Sequence, residues 1–219
     1  MPISDLSLRK ALKLSFADQV LLRRELRTFI RTERNRENGA DQGGGDFYGP
    51  FWRDAKQHAL GLSDLSTDTE ARIDANPRRA NLYPELRDGF LLWWGQRRRW
   101  TNAPYEQGAR HFGSVELHEA GISISVENLL SVIDGRGDEY LVYPYFFPAP
   151  VVSEEAASIA LWVCSQALPR VPAQQIRVLD VMRGTTFSLD RNPLSGDERA
   201  TFCAMLNRVV SEYEALIEE

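Results

Sequence analysis

Residues 82–111, LYPELRDGFLLWWGQRRRWTNAPYEQGARH, hold three of the chain's five tryptophans, two of its seven tyrosines and five arginines. Strongly apolar material and dense positive charge share one segment, and its periodicity decides how the front of the chain folds. Leu86, Phe90 and Trp93 recur at spacings of four and three, and Leu91 and Trp94 widen the stripe, so the pattern predicts a core-facing helix over 84–100. Pro84 suits a first helical turn, and Glu85 beside it suits the positive end of the helix dipole. Arg97, Arg98 and Arg99 fall in the expected last turn. Two accounts of them stand side by side. In one they are cations finishing a helix, paired with its free carbonyls. In the other they form an anion or nucleic-acid patch with Arg110, in which guanidiniums fork onto phosphate while Trp100, Tyr105 or His111 offers a stacking surface.

Upstream, residues 5–13 read as a short helix or lead-in, and a longer helix is predicted over 15–37. Ser15 and Asp18 approximate a capping box there, and Phe16, Leu22, Leu26, Phe29 and Ile30 form its apolar stripe. Arg23, Arg27, Arg31 and Arg34 line another face, either solvated and balanced by Glu25, Glu33 and Glu37 or offered to an acidic partner. Residues 38–46, NGADQGGGD, read as a flexible loop. They are no phosphate-cradling loop, because no apolar strand precedes them and no GK[ST] opens the next helix. A short helix with Phe51, Trp52, Ala55, Ala59 and Leu60 for burial comes after it, then one capped by Thr67 and Glu70 that stops at Asn76 before Pro77.

From Gly113 the period changes to two. Val115 and Leu117, then Ile122, Ile124 and Val126, alternate with polar residues as half-buried strands do. Residues 129–133 and 140–147 flank the turn Asp134-Gly135-Arg136-Gly137-Asp138 and predict a hairpin. Ser153 caps a further helix, 176–181 and 185–189 form a second hairpin, and Ser195 with Glu198 opens a last helix carrying Phe202, Leu206, Val209, Tyr213 and Leu216. The run VYPYFFPAPVV at 142–152 puts aromatic residues on both sides of a strand. Both faces must then be covered by core, or one face presents an aromatic patch.

The chain has 219 residues, enough for a core without disulfides or metals, and 43% of them are hydrophobic. No apolar run is long enough for a membrane span and the first residues do not resemble a secretory leader, so a cytosolic setting is expected. Only 3 of 26 basic residues are lysine, which suggests a GC-rich bacterial genome. Cys164 and Cys203 sit in apolar helical patterns and read as buried reduced thiols. The net charge of -5 divides unevenly: residues 1–113 carry 19 Lys+Arg against 15 Asp+Glu, or +4, and residues 114–219 carry 7 against 16, or -9. Binding to nucleic acid through charge alone would call for a more basic chain, so any such contact is local.

Glu127, Asp134, Glu139 and Asp180 lie in or beside strands. Asp134 and Asp138 fit turn positions flanking glycines. Asp180, in VLDVM, reads as an inward-facing acid held by backbone or by an arginine rather than as a catalytic one. His111, Glu116 and His118 match no zinc spacing, and His58 stands apart. Neither a GxSxG turn nor a cysteine beside a base supplies a nucleophile.

The order helix, strand, strand, strand, helix, strand over 84–181 resembles the core of the PD-(D/E)XK nuclease superfamily. The resemblance implies carboxylates holding magnesium on the second and third strands, with a lysine on the third. Glu127 would take the second-strand place. The third strand carries Tyr143, Pro144 and Tyr145 where the acid and lysine belong, and no lysine occurs after Lys56. The resemblance therefore implies a scaffold that has lost its chemistry.

The sequence thus predicts an α+β chain. A helical N-terminal half, residues 1–112, packs on a four- to five-stranded antiparallel or mixed sheet with two C-terminal helices, residues 113–219. The expected function is non-catalytic binding or adaptor work in the bacterial cytosol, without cofactor or metal, toward a protein or nucleic-acid partner or a second copy. Arg97, Arg98, Arg99, Trp100, Arg110 and His111 are the candidate contacts. The alternative is a metal-dependent nuclease using Glu127 and Asp180.

Overall fold

The structure is a computed structural model that describes residues 3–37, 39 and 47–219. The expected loop at 38–46 lies, but for residue 39, outside the described residues. In chain order the elements are β1 (Asp5–Ser7), α1 (Leu8–Ser15), α2 (Gln19–Glu37), α3 (Gly49–Ala59), α4 (Leu65–Ala75), α5 (Tyr83–Leu92), β2 (Glu106–Gln107), β3 (Gly113–Leu117), β4 (Ile122–Val126), β5 (Leu130–Ile133), β6 (Glu139–Tyr145), α6 (Glu154–Ala167), β7 (Ile176–Asp180), β8 (Thr185–Phe187) and α7 (Glu198–Glu218).

The strands form two sheets. The larger is mixed, in the order β2-β5-β6-β7-β8, with β6 and β7 parallel across the α6 crossover and the other pairs antiparallel. It contains both expected hairpins. The smaller, β1-β4-β3, joins the β3–β4 hairpin to β1, which runs parallel to β4 with Leu6 opposite Ile124. The helix-strand-strand-strand-helix-strand order expected over 84–181 is not what the chain makes: five strands, β2–β6, separate α5 from α6, and β3 and β4 belong to a different sheet from β5, β6 and β7.

β6 shows why its aromatic run is tolerated. Leu141, Tyr143 and Tyr145, with Ile176 and Val178 of β7, face a core built with α1, α2, α6, α7 and the small sheet. Val142 and Phe146, with Leu130, Val132, Leu179 and Val181, face a second core made by α3, α4 and α5, where Phe51, Trp52, Tyr83, Leu86, Phe90 and Trp93 are buried. Alternation along the strand delivers both sets, and each large side chain withdrawn from water contributes about 1.5–3 kcal/mol. Both faces are covered. Cys164 and Cys203 are buried and free.

Several boundaries differ from the sequence pattern. Ser15 ends α1, and Asp18 accepts from the Leu21 N–H at 2.8 Å to start α2. α4 is capped by Asp64, which accepts from Thr67 N–H, so Thr67 lies inside the helix. α7 begins at Glu198, whose carboxylate turns back to the N–H groups of Ser195 and Gly196. Ser153 caps α6 as expected. On the basic face of α2, Arg23 pairs with Glu212 of α7 and with Glu219 just beyond it, and Arg27 pairs with Glu219. Two of the four arginines of this stripe thus engage acids of their own chain. Among the described residues no helix is long and apolar enough to cross a membrane.

Candidate anion-binding clefts

α5 stops at Leu92, eight residues before its expected end, and the chain passes into a wider turn, Trp93–Arg97, closed by Arg98 N–H donating to Trp93 O at 2.8 Å. Such i→i+5 turns insert a residue into the helical path and swing the downstream chain to a new direction. The anchor at this end of α5 is backbone. A Cβ on Gly89 would lie 2.1 Å from Val181 O, and Gly184, at φ +56°, would bring one 2.5 Å from Gly89 O. Two bare Cα atoms let the helix rest directly on the turn between β7 and β8.

Each arginine of the triplet then takes a different role. Arg97 donates to the carbonyls of Arg183 and Gly184, at 2.8 and 3.3 Å, so the carbonyls it pairs with belong to the β7–β8 turn. Arg98 lies against aromatic faces, its guanidinium carbon 3.7 Å from the centre of the Trp94 ring, 4.3 Å from that of Tyr105 and 5.0 Å from that of Trp100. Burial lowers its pKa from the ordinary arginine value. Arg99 reaches Asp190 at 3.4 Å. Trp100 is 7% exposed and stacks flat on Tyr140, so its ring holds Arg98 rather than facing solvent.

Together these residues line a cleft of about 280 Å³. Its other walls come from β7 and the chain after it: Arg177, Thr185, Thr186, Ser188, Asp190 and Arg191. Five arginines thus meet one carboxylate. Asp190 is held below the usual carboxylate range by the Ser188 hydroxyl, with Arg177 and Arg99 adding to the effect. Burial lowers the Arg177 pKa from its ordinary value, and its guanidinium lies 5.8 Å from the Tyr140 ring centre. Two lining residues carry unsatisfied groups: Arg98 Nε and Nη1 and Thr186 Oγ1 are buried without a hydrogen-bond partner. An unmade bond to such a donor costs about 1–3 kcal/mol, and an anion's oxygens would supply the acceptors.

Arg110 and His111 are elsewhere. They come after β2, at the opposite edge of the large sheet from β8, and line separate clefts. His111 Nε2 sits 3.0 Å from Glu139 Oε1, which also accepts from Ser131 and from Ala109 N–H. Burial pushes the Glu139 carboxyl up, but hydrogen bonds from Ser131 and His111 prevail and lower it. The six residues grouped by the sequence therefore belong to two places.

The strand acids are also dispersed. Asp180 is buried, which raises its pKa, and it pairs with Arg183 at 3.3 Å. Glu127 is exposed beyond β4, in the other sheet. Asp134 accepts from Asn102 and from the N–H groups of Arg136 and Asp138, as a turn residue does. His58 Nδ1 accepts from Leu65 N–H and braces the start of α4. Among the described residues no three His, Cys, Asp or Glu side chains are grouped to hold a metal ion.

Arg177, Thr185, Thr186, Ser188 and Arg191 escaped the sequence reading. The available signal was an arginine between Ile176 and Val178 in an otherwise apolar strand, with three hydroxyl residues beyond the next tight turn. Compared with protein-family models, curated proteins and solved structures, the chain matches none.

Proposed function

We propose that this chain is a non-catalytic binding protein that recognises a phosphate group on its partner, working in the bacterial cytosol. The observation that carries the reading is the cleft beside β8, where Arg97, Arg98, Arg99, Arg177 and Arg191 converge with three hydroxyl side chains and a single acid. Guanidinium pairs with phosphate through parallel charge-assisted bonds, and here aromatic rings and backbone carbonyls hold several of the arginines in place before a ligand arrives. A volume of about 280 Å³ accepts a phosphoryl group with a small part of the molecule that bears it.

Trp93 and Trp100 border the cleft and report on it. Titration of their fluorescence with inorganic phosphate and nucleoside phosphates should give a saturable change. Arg99→Ala and Arg191→Ala, both at exposed positions, should each weaken binding about tenfold, the lower end for losing one charge-assisted bond. A titration that stays flat up to millimolar ligand, or variants that bind like the parent, would overturn the reading. Magnesium-dependent cleavage of oligonucleotides, lost in Asp180→Asn, would favour the metal-dependent nuclease instead.

A further inference from the structure

A second basic surface lies away from the arginine cleft and shares no residue with it. Three clefts adjoin. One is lined by Arg9, Trp52, Arg53, Lys56 and Asn128. The next, of about 410 Å³, shares Arg53, Lys56 and Asn128 and adds Gln57, Gly108, Arg110 and His111. The third shares Arg110 and His111 and adds Phe112, Pro169 and Arg170. They form one continuous trough from α3, past the segment after β2, to the α6–β7 connection. Among the described residues no Asp or Glu lines any of the three.

From this arrangement we infer that the trough is a track for single-stranded nucleic acid, with Arg53, Lys56, Arg110 and Arg170 on successive phosphates and Phe112 under a base. Like charges are crowded here, and the carboxylate that reaches the trough, Glu139, is engaged by His111, the Ser131 hydroxyl and Ala109 N–H. Burial is the first reason that the Lys56 pKa is lowered, and Arg53 and Arg110 lower it further. A polyanion relieves that repulsion, which a neutral ligand cannot. Phe112 is 68% exposed, a position that folding alone does not reward, and the Arg110 guanidinium carbon lies 5.7 Å from its ring centre. A positive groove with an exposed ring beside it is the arrangement by which proteins hold unpaired strands, whose bases can turn outward to stack. The net charge of -5 keeps attraction confined to such a local track.

The test is fluorescence anisotropy of a labelled oligothymidylate of about ten residues at a series of salt concentrations. Four phosphate contacts predict a slope of log affinity against log salt near -3, or about a fiftyfold loss between 50 and 200 mM salt. The double variant Arg53→Ala/Arg110→Ala should halve the slope, leaving about a sevenfold loss over that range. Phe112→Ala should weaken binding about tenfold and leave the slope unchanged. Arg99→Ala, in the other cleft, should leave the oligonucleotide affinity at the parent value, which separates the track from phosphate recognition beside β8. Absence of binding, a slope untouched by the double variant, or capture of poly-glutamate in preference to the oligonucleotide would each overturn the proposal.

Discussion

Gly89→Ala tests how the arginine cleft is held together. The added methyl would sit 2.1 Å from Val181 O, 2.4 Å from Met182 O and 2.6 Å from Met182 C. Contacts between heavy atoms settle near 3.5 Å, so α5 and the β7–β8 turn would have to separate by about 1 Å, and neither side offers a side chain that could rotate away. Overpacking costs about 1–3 kcal/mol, and backbone against backbone argues for the upper end. Alanine's better helix propensity returns about 1 kcal/mol, leaving a net loss near 2 kcal/mol. For a chain of this size that lowers Tm by about 4–8 °C. Gly95, six residues on in the wide turn, has nothing within 4 Å of its would-be Cβ. Gly95→Ala should therefore keep or raise Tm, by at most about 1 kcal/mol of stability. Thermal and urea unfolding of the two variants make the comparison. Equal stability of Gly89→Ala and the parent, or an equal loss in both variants, would refute the contact argument. The same separation pulls the Arg183 and Gly184 carbonyls away from Arg97, so Gly89→Ala should also weaken phosphate binding.

Other consequences are open to measurement. Arg72 holds the buried Asp54 through two bonds of 2.8 and 3.0 Å, so Arg72→Ala strands a carboxylate and should cost about 2 kcal/mol in urea unfolding, less than a fully buried pair because Arg72 is partly exposed. Lys10 has its pKa lowered to about 8, chiefly by burial. Between about pH 8 and pH 10.5 the unfolded chain then binds more protons than the folded one, so this group makes stability rise with pH across that window, and Lys10→Met should flatten the rise. Glu119 is held down to about 2, first by its hydrogen bond from Arg199, so its contribution is present above about pH 4.5 and disappears toward pH 2. Arg199→Ala should remove that part of the acid dependence, read as a shallower fall in Tm over the same range.

The periodic and the local were legible in the sequence. The stripe Leu86, Phe90, Trp93 turns into a buried face of α5 and its following turn, the Ser153 cap is where its side chain can reach Ala156 N–H, and the two hairpins close over a few residues. Alternation along β6 left two covered faces or an exposed aromatic patch, and the packing of the two cores decided for the first. β1 was illegible because three residues cannot express a period, and its partner β4 lies more than a hundred residues away. The early end of α5 was hidden for a different reason: an apolar stripe states which side of a helix is buried but not where neighbouring backbone stops it. For the candidate site, local sequence marked Arg97, Arg98 and Arg99 as a cluster of charge. Tertiary structure alone brought Arg177 and the hydroxyls of Thr185, Thr186 and Ser188 opposite them, through the contact of Gly89 with the β7–β8 turn, and carried Arg110 and His111 to the far edge of the sheet. Charge is written residue by residue, whereas a cleft exists only where separate segments are packed close enough to enclose one.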